Sequence, residues 1–341
     1  MKIIVHLGTG GVGKTSVAAA TALKLARSGV RTLILTTDPS YRLRTALRLE
    51  NALLEQQVPL EGASAELWAA LLDVRATLDE AVRQHAKESR QQQILDHPIY
   101  ATIASSLAGM QELMAVERID QLMRRGYETI VVDTAPSRHA LDLLDKPLHF
   151  AALSAARRVK LVGRTYRFVE KLGLTTIGRG AFDVYKRAED MLGATLVRQV
   201  LDFYSLFFPI AEGYSERAKK TVELLRNPKV TEFRIVSTPA KALRDVRFFV
   251  DELATRGISP EKVCVNRAWL HETPDALEGS PDGLEGEILA WYRSVSQSHR
   301  EAIAQLRATL GSRVGEILVL NELERDVDAL DGLEQIAAQM R

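Results

Sequence analysis

Cysteine is nearly absent from this 341-residue chain, because Cys264 is the only one. An intramolecular disulfide is therefore excluded, and the chain favours a reducing compartment or indifference to redox conditions. A single cysteine per chain also cannot supply a four-cysteine zinc site, even across a dimer, so no structural zinc is expected.

An excess of charge of either sign is also absent. The chain has 45 basic and 44 acidic residues, which leaves a formal net charge of +1. A bulk electrostatic attraction to nucleic acid or to an anionic membrane is not indicated, and we expect no nucleic-acid partner.

Long apolar runs are missing as well. No window approaches the roughly 18 consecutive apolar residues that a membrane-spanning helix needs, so no integral membrane segment is expected. A strand pattern begins at Lys2, so we expect no leader peptide and a cytoplasmic protein. With 46% hydrophobic residues, the chain can bury the core of one α/β domain with a helical elaboration.

The most informative motif is GTGGVGKTS at residues 8–16, which fits the phosphate-loop pattern G-x-x-x-x-G-K-[ST]. It stands between an apolar strand pattern at residues 3–7 and a helical pattern at residues 16–27, which is the context that this motif requires. The predicted nucleotide-binding residues of the motif are Gly8, Thr9, Gly10, Gly11, Val12, Gly13, Lys14, Thr15 and Ser16.

Each residue type in this motif suits the binding of phosphate and Mg²⁺ for a chemical reason. Glycines allow successive backbone N–H groups to point at a phosphate, and the helix N-terminus adds partial positive charge. Lys14 is predicted to reach the β- and γ-phosphates of ATP, and the Thr15 hydroxyl is predicted to bind Mg²⁺. The motif therefore predicts ATP or ADP, together with Mg²⁺, as the ligands.

Short apolar runs alternate with helical stretches along the chain. This alternation predicts an α/β fold with a doubly wound, mostly parallel sheet and helices on both faces. The predicted strands are Lys2–Leu7, Arg31–Thr36, Thr129–Asp133, Phe233–Ser237, Lys262–Asn266 and Glu316–Leu320. Between them, Leu47–Gly109 is predicted to be mainly helical, with a strand at Leu67–Val74 as the alternative.

Residues 150–228 differ in character from the rest. A basic stretch at Arg157–Lys171 precedes an aromatic-rich stretch at 196–210, and strand signals are absent nearby. We predict a helical insertion here, with residues 1–149 and 229–341 forming the phosphate-loop domain. The aromatic stretch suits either the lining of a groove for a partner or ordinary helical core packing.

Two aspartates follow predicted strands at the edge of the sheet where the phosphate loop lies. Asp133 is predicted to hold the water shell of Mg²⁺, and Asp38 to orient or deprotonate a water molecule aimed at the γ-phosphate. The alternative is that each aspartate only opens a turn, since Asp-Pro and Asp-Thr are common turn sequences. Lys14 and Asp38 are the candidate catalytic residues.

Five motifs together resemble one family: GTGGVGKTS, TDPS at 37–40, GMQE at 109–112, DTAPSRH at 133–139 and VNR at 265–267. Their order and spacing are similar to those of the family that contains the arsenite-pump-driving ATPase and the tail-anchored-protein-targeting ATPase. The resemblance implies a homodimer with two facing nucleotides, switch loops at 38–43 and 133–139, and an adenine contact from Asn266. It also implies that the insertion at 150–228 binds a hydrophobic or protein client.

The chain departs from that family at informative positions. Thr9 stands where the family usually has a lysine that reaches the partner's phosphates, and the Cys-x-x-Cys zinc clasp is missing. Arg138 replaces a residue that is usually small. We therefore consider Arg42 and Arg138, both in the predicted switch loops, as possible substitute cations; the alternative is that both are solvated surface residues.

The predicted function is an ATP-binding, ATP-hydrolysing dimeric switch that couples nucleotide state to a partner through its helical part. The alternative is a nucleotide-dependent scaffold with little or no hydrolysis, because Thr9 has replaced a catalytic lysine. An arsenite-pump role is not favoured, since a soft metalloid anion needs clustered thiolates and Cys264 stands alone. A kinase function is less favoured, because the sequence shows no recognisable site for a phosphate acceptor.

Overall fold

The computed structural model describes residues 1–38, 42–47, 49, 55–106, 109–136, 138–155, 190–191, 193–270, 283–325, 327 and 329–340. Two units emerge from the distribution of contacts. Unit 1 is built from Met1–Leu72, Leu122–Leu141 and Leu224–Arg341, and unit 2 from Asp73–Gln121 and Asp142–Glu223.

A single sheet of eight strands forms the centre of unit 1, in the order β3-β4-β2-β5-β1-β6-β7-β8. All neighbouring pairs are parallel except β3 and β4, which are antiparallel. The strands are β1 (Lys2–Leu7), β2 (Thr32–Thr36), β3 (Gln56–Val58), β4 (Leu67–Leu71), β5 (Thr129–Asp133), β6 (Thr231–Ser237), β7 (Lys262–Ala268) and β8 (Glu316–Asn321). The predicted α/β fold with a mostly parallel sheet is confirmed.

The helices of the described residues fall in chain order as follows: α1 (Lys14–Arg27), α2 (Arg42–Leu47), α3 (Val74–His85), α4 (Glu88–Leu95), α5 (Pro98–Ser106), α6 (Met110–Met123), α7 (Asp142–Ala155), α8 (Ala194–Arg226), α9 (Pro239–Thr255), α10 (Leu284–Leu310) and α11 (Leu330–Gln339). Short 3₁₀ turns occupy Arg138–Leu141 and Gly311–Arg313. None of the described helices combines the length and the apolarity needed to cross a bilayer.

All six predicted strands are present, and their bounds differ by at most two residues. The expectation of a mainly helical Leu47–Gly109 is wrong for its first part, where β3 and β4 lie, and the alternative strand at Leu67–Val74 is correct for Leu67–Leu71. The strand β4 pairs with β2 on one side and with β3 on the other. Pairing with β2, which is distant in sequence, selects the strand over a helix at this ambiguous apolar run.

Helix α1 is held against the sheet by small residues. Ala18, Ala19, Ala20 and Ala22 are fully buried, which lets the helix backbone approach the strands closely. One side of α1 packs with Ile4, Ile34 and Val131, and the other with Val236, Cys264 and Ile336. The position of the loop that precedes α1 is therefore fixed from both sides.

Unit 2 is helical, with α3, α4, α5, α7, most of α6 and the greater part of α8. The basic stretch Arg157–Lys171 lies outside the described residues. Unit 2 includes residues 73–121, which the sequence did not group with 150–228. The proposed domain division at 150–228 stays a prediction.

Cys264 lies on β7 and is only 1% exposed. Burial raises the pKa of its thiol to about 11, so the reactive thiolate is scarce at neutral pH. We expect a thiol-specific alkylating reagent at pH 7 to leave the folded protein unlabelled for hours and to label the denatured protein completely within minutes. Mass spectrometry measures both states, and rapid labelling of the folded protein would contradict the buried position of β7.

Candidate functional site

The glycine loop between β1 and α1 needs glycine at three positions, at Gly8 for lack of space and at Gly11 and Gly13 for their backbone conformation. A Cβ at Gly8 would lie 2.6 Å from the Val236 carbonyl oxygen, so β6 leaves no room there. Gly13 is the N-cap of α1 with φ of 79°, and a Cβ on it would collide with the Asn266 side chain. Gly11 has the same φ of 79°. These left-handed conformations strongly favour glycine and turn the loop back toward the helix N-terminus.

Asp133 is the centre of a buried polar network beneath this loop. Lys14 Nζ lies 2.6 Å from Asp133 Oδ1 and also donates to the Thr134 carbonyl. The hydroxyls of Thr15 and Thr36 donate to Asp133 Oδ2 at 2.8 and 3.0 Å. Parallel pairing aligns Thr36 with Asp133, so the sheet register brings these residues together.

Asp38 lies two residues beyond the end of β2. Its backbone N–H donates to the Thr36 hydroxyl at 3.2 Å, and Thr36 in turn donates to Asp133. Asp38 lines the cavity above the glycine loop. The structure therefore brings this candidate base to the same cavity as Lys14 and Thr15.

The cavity has a volume of about 730 Å³ and lies within unit 1. Of the residues predicted from sequence, it is lined by Thr9, Gly11, Gly13, Lys14, Thr15, Ser16, Asp38 and Asn266. Gly8, Gly10, Val12 and Asp133 are not among its lining residues. Pro136 of the DTAPSRH motif and Arg267 of the VNR motif also line it. Further lining residues that the sequence did not indicate are Thr45, Ala46, Asn321, Glu322, Leu323, Arg325, Val327 and Ile336.

A profile of the anion-transporting ATPase family matches residues 1–280. The chain belongs to the anion-transporting ATPase family. It is 26% identical to the putative arsenical pump-driving ATPase 1 of Aquifex aeolicus, a match that covers 78% of this chain and 63% of that relative. It is 28% identical to ATPase ARSA2 of Chlamydomonas reinhardtii, over 80% of this chain and 68% of the relative. It is 26% identical to ATPase GET3C of Arabidopsis thaliana, over 68% of this chain and 58% of that relative. The chain thus spans less than two thirds of the Aquifex relative.

In this family member, Asn266 at the end of β7 is tied to the glycine loop. It is 6% exposed, and its Nδ2 donates to the Val12 carbonyl at 3.0 Å. The next residue, Arg267, has φ of 62° and lies beside an irregularity in the pairing of β7 and β8. This geometry places Asn266 on the cavity wall, and its contact with adenine stays a prediction.

Helix α9 supplies two loop contacts that the sequence did not predict. The Thr9 hydroxyl donates to Asp245 Oδ2 at 2.6 Å, and Lys241 Nζ donates to the Gly10 carbonyl at 3.1 Å. Lys241 and Asp245 are four positions apart and therefore lie on the same side of α9, and this spacing was the only indication of the pair in the sequence. The pairing of β6 with β1 is what brings this turn of α9 to the loop, and the sequence does not reveal that pairing.

The predicted substitute cations are placed only by their backbone. Arg42 begins α2 and Arg138 begins a 3₁₀ turn. Their side chains lie outside the described residues, and so does Ser40 of the predicted switch loop at 38–43. The roles predicted for Arg42 and Arg138 therefore stay predictions.

The Thr15 hydroxyl and the Asp133 carboxylate provide adjacent oxygen atoms, which fits the preference of Mg²⁺ for oxygen ligands. Mg²⁺ keeps most of its water and usually takes few protein ligands when a polyphosphate is bound. The donor set therefore suits Mg²⁺ held by Thr15 directly and by Asp133 through water.

Proposed function

We propose that this member of the anion-transporting ATPase family binds ATP with Mg²⁺ in the cavity above the glycine loop and hydrolyses it as a homodimer. The observation that carries the proposal is the network in which Lys14, Thr15 and Thr36 all contact the buried Asp133 beneath the glycine loop. These are the charges and hydroxyls that a polyphosphate and its cation require.

Lys14 has to change partners when nucleotide binds. Its ammonium is now held by Asp133 and the Thr134 carbonyl, and it is 4% exposed. Phosphate oxygens would take the place of these acceptors, while Asp133 would keep its hydroxyl donors and could hold a water molecule of Mg²⁺. When bound, Mg²⁺ would neutralise charge that develops on the phosphate oxygens.

Asp38 is proposed to act on the attacking water. The water oxygen forms a bond to the γ-phosphorus while the bond from that phosphorus to the bridging oxygen of ADP breaks. The Asp38 carboxylate accepts the proton that the water loses, and ADP and inorganic phosphate leave. Its anchor to Thr36 supports this role, because Thr36 also contacts Asp133.

Unit 2 supports the partner-binding part of the proposal. It contains a cavity of about 390 Å³ whose walls are almost entirely apolar, including Met110, Met114, Phe203, Phe207 and Phe150. Methionine side chains adapt to varied apolar surfaces. Helix α6, in the segment that begins with GMQE, supplies the two methionines of this wall.

The aromatic stretch 196–210 contributes both to the packed core and to the wall of the cavity in unit 2. Phe203, Phe208 and Ile210 are buried and also line the cavity of unit 2. Leu196 and Val200 are 43% and 46% exposed. We infer that this stretch of α8 binds a hydrophobic or protein partner in a manner that depends on nucleotide state.

We expect the chain to dimerise when a non-hydrolysable ATP analogue and Mg²⁺ are present, because one chain carries a single phosphate loop. Light scattering at tens of micromolar measures the mass, and single-turnover hydrolysis of stoichiometric ATP measures the chemistry. A dimer that hydrolyses ATP supports the proposal. A dimer that binds ATP without turnover supports the scaffold alternative, and a strict monomer would contradict the dimeric switch.

A further inference from the structure

Helix α9 contacts the glycine loop at two consecutive residues through side chains of opposite charge. Asp245 accepts from the Thr9 hydroxyl at 2.6 Å, and Lys241 donates to the Gly10 carbonyl at 3.1 Å. Strand β6 places α9 there, since Val236 packs directly against Gly8. The first turns of α9 are therefore part of the wall that supports the loop.

The carboxylate and the ammonium on α9 do not neutralise each other. Asp245 is 2% exposed and takes its hydrogen bonds from Thr9 and from Arg244 Nε at 3.2 Å. Lys241 lies one turn away, yet the described residues give its ammonium only a neutral carbonyl as acceptor. A hydrogen bond to a neutral acceptor is weaker than an ion pair, so this ammonium exchanges readily for an anionic partner.

The side of the loop on which Lys241 lies indicates where that anion comes from. In a phosphate loop the backbone N–H groups face the phosphates, so an ammonium on a carbonyl lies on the opposite, outer face. Lys241 is not among the residues that line the 730 Å³ cavity. Gly10, which does not line that cavity either, is exposed, and a Cβ on it would meet no atom within 4 Å. The outer face of the loop is open to approach.

We propose that Lys241 supplies a second cation to the phosphates of the nucleotide held by a second copy of this chain. Thr9 is uncharged and is held by Asp245, so residue 9 does not supply that charge. The inference rests on the proposed function as a dimeric ATPase. A cation supplied across an interface to a transferring phosphoryl group can be worth about 10³–10⁵ in rate, and an added donor at a developing charge about 10²–10³.

Three substitutions separate the charge of Lys241 from its hydrogen bond. Lys241→Gln keeps a donor for Gly10 but removes the charge, and we expect kcat to fall by about 10²-fold with little change in ATP affinity. In Lys241→Ala, kcat should fall at least as far. Lys241→Arg keeps the positive charge, so its kcat should be close to that of the wild type. Lys229→Ala is the matched control, because Lys229 is an exposed lysine before β6, at the other end of that strand.

A mixing experiment tests whether the cation acts across the dimer. Lys14→Ala alone is expected to be inactive, and Lys241→Gln alone is expected to retain about 1% of the wild-type rate. In a mixed dimer, the loop of the Lys241→Gln subunit retains Lys14 and meets the intact Lys241 of the other subunit. With free exchange of subunits, an equal mixture should regain about one quarter of the wild-type rate.

The outcomes are distinguishable. A wild type that binds no ATP contradicts the proposed function itself. A wild type that hydrolyses ATP while Lys241→Gln keeps its full rate shows that Lys241 only anchors the loop, and it overturns this inference alone. A mixture that is no more active than the Lys241→Gln variant alone, although mixed dimers form by mass spectrometry, also overturns it. Arg42→Ala and Arg138→Ala in the same assay test the cations predicted from sequence.

Discussion

Replacement of Lys14 by alanine is expected to lower ATP affinity by at least about 10²-fold and to abolish hydrolysis, because it removes the cation nearest the phosphates. Isothermal titration with ATP and Mg²⁺ measures the affinity. Lys24→Ala on the same helix is the matched control, because Lys24 lies in the last turn of α1, far from the loop. Unchanged affinity in Lys14→Ala would contradict the assignment of the phosphate loop.

The same substitution has a cost in stability that the sequence alone did not indicate. Lys14 and Asp133 are 3% and 0% exposed, so loss of the ammonium leaves a buried carboxylate with only its hydroxyl donors. Breaking a buried ion pair on one side typically costs about 3–5 kcal/mol. The double variant Lys14→Met, Asp133→Asn removes both charges and should regain stability in urea without regaining ATP binding, which separates misfolding from loss of the ligand site.

Replacement of Asp38 by asparagine is expected to lower single-turnover hydrolysis by about 10²–10⁴-fold while Mg²⁺-ATP binding is retained. The amide can still hydrogen-bond a water molecule, but it cannot accept the proton. Rapid quench measures the rate, and titration in the same buffer measures the affinity.

Asp331→Asn is the control for this substitution, because Asp331 is an exposed aspartate in the first turn of α11. Hydrolysis at the wild-type rate in Asp38→Asn would mean that Asp38 only forms the turn after β2. If the wild type itself does not hydrolyse ATP, the scaffold alternative becomes the better account, and Asp38→Asn should then leave nucleotide-dependent dimerisation unchanged.

The errors of the sequence-based fold prediction have a common physical cause. The strand β4 was ambiguous because a five-residue apolar run suits a helix or a strand equally well. The short β3 carries too weak a pattern to be recognised, and it exists through antiparallel pairing with β4 at the edge of the sheet. Both strands are decided by long-range hydrogen bonds, which local propensity does not contain.

The sequence by itself determined the parts of this protein whose signals are local. The glycine loop lies in one continuous segment of the chain. The strands that end at Leu7, Thr36 and Asp133 are buried apolar runs, so the sequence predicted these strands and the polar residues that follow them. Tertiary structure alone decided what these residues touch. Parallel register brings Thr36 beside Asp133, and Lys14 reaches the same carboxylate from the start of α1. The pairing of β6 with β1 brings Lys241 and Asp245 to the loop from more than 230 positions away. Such contacts depend on strand order and on the approach of one helix to one loop, and neither is encoded in the spacing of residues along the chain.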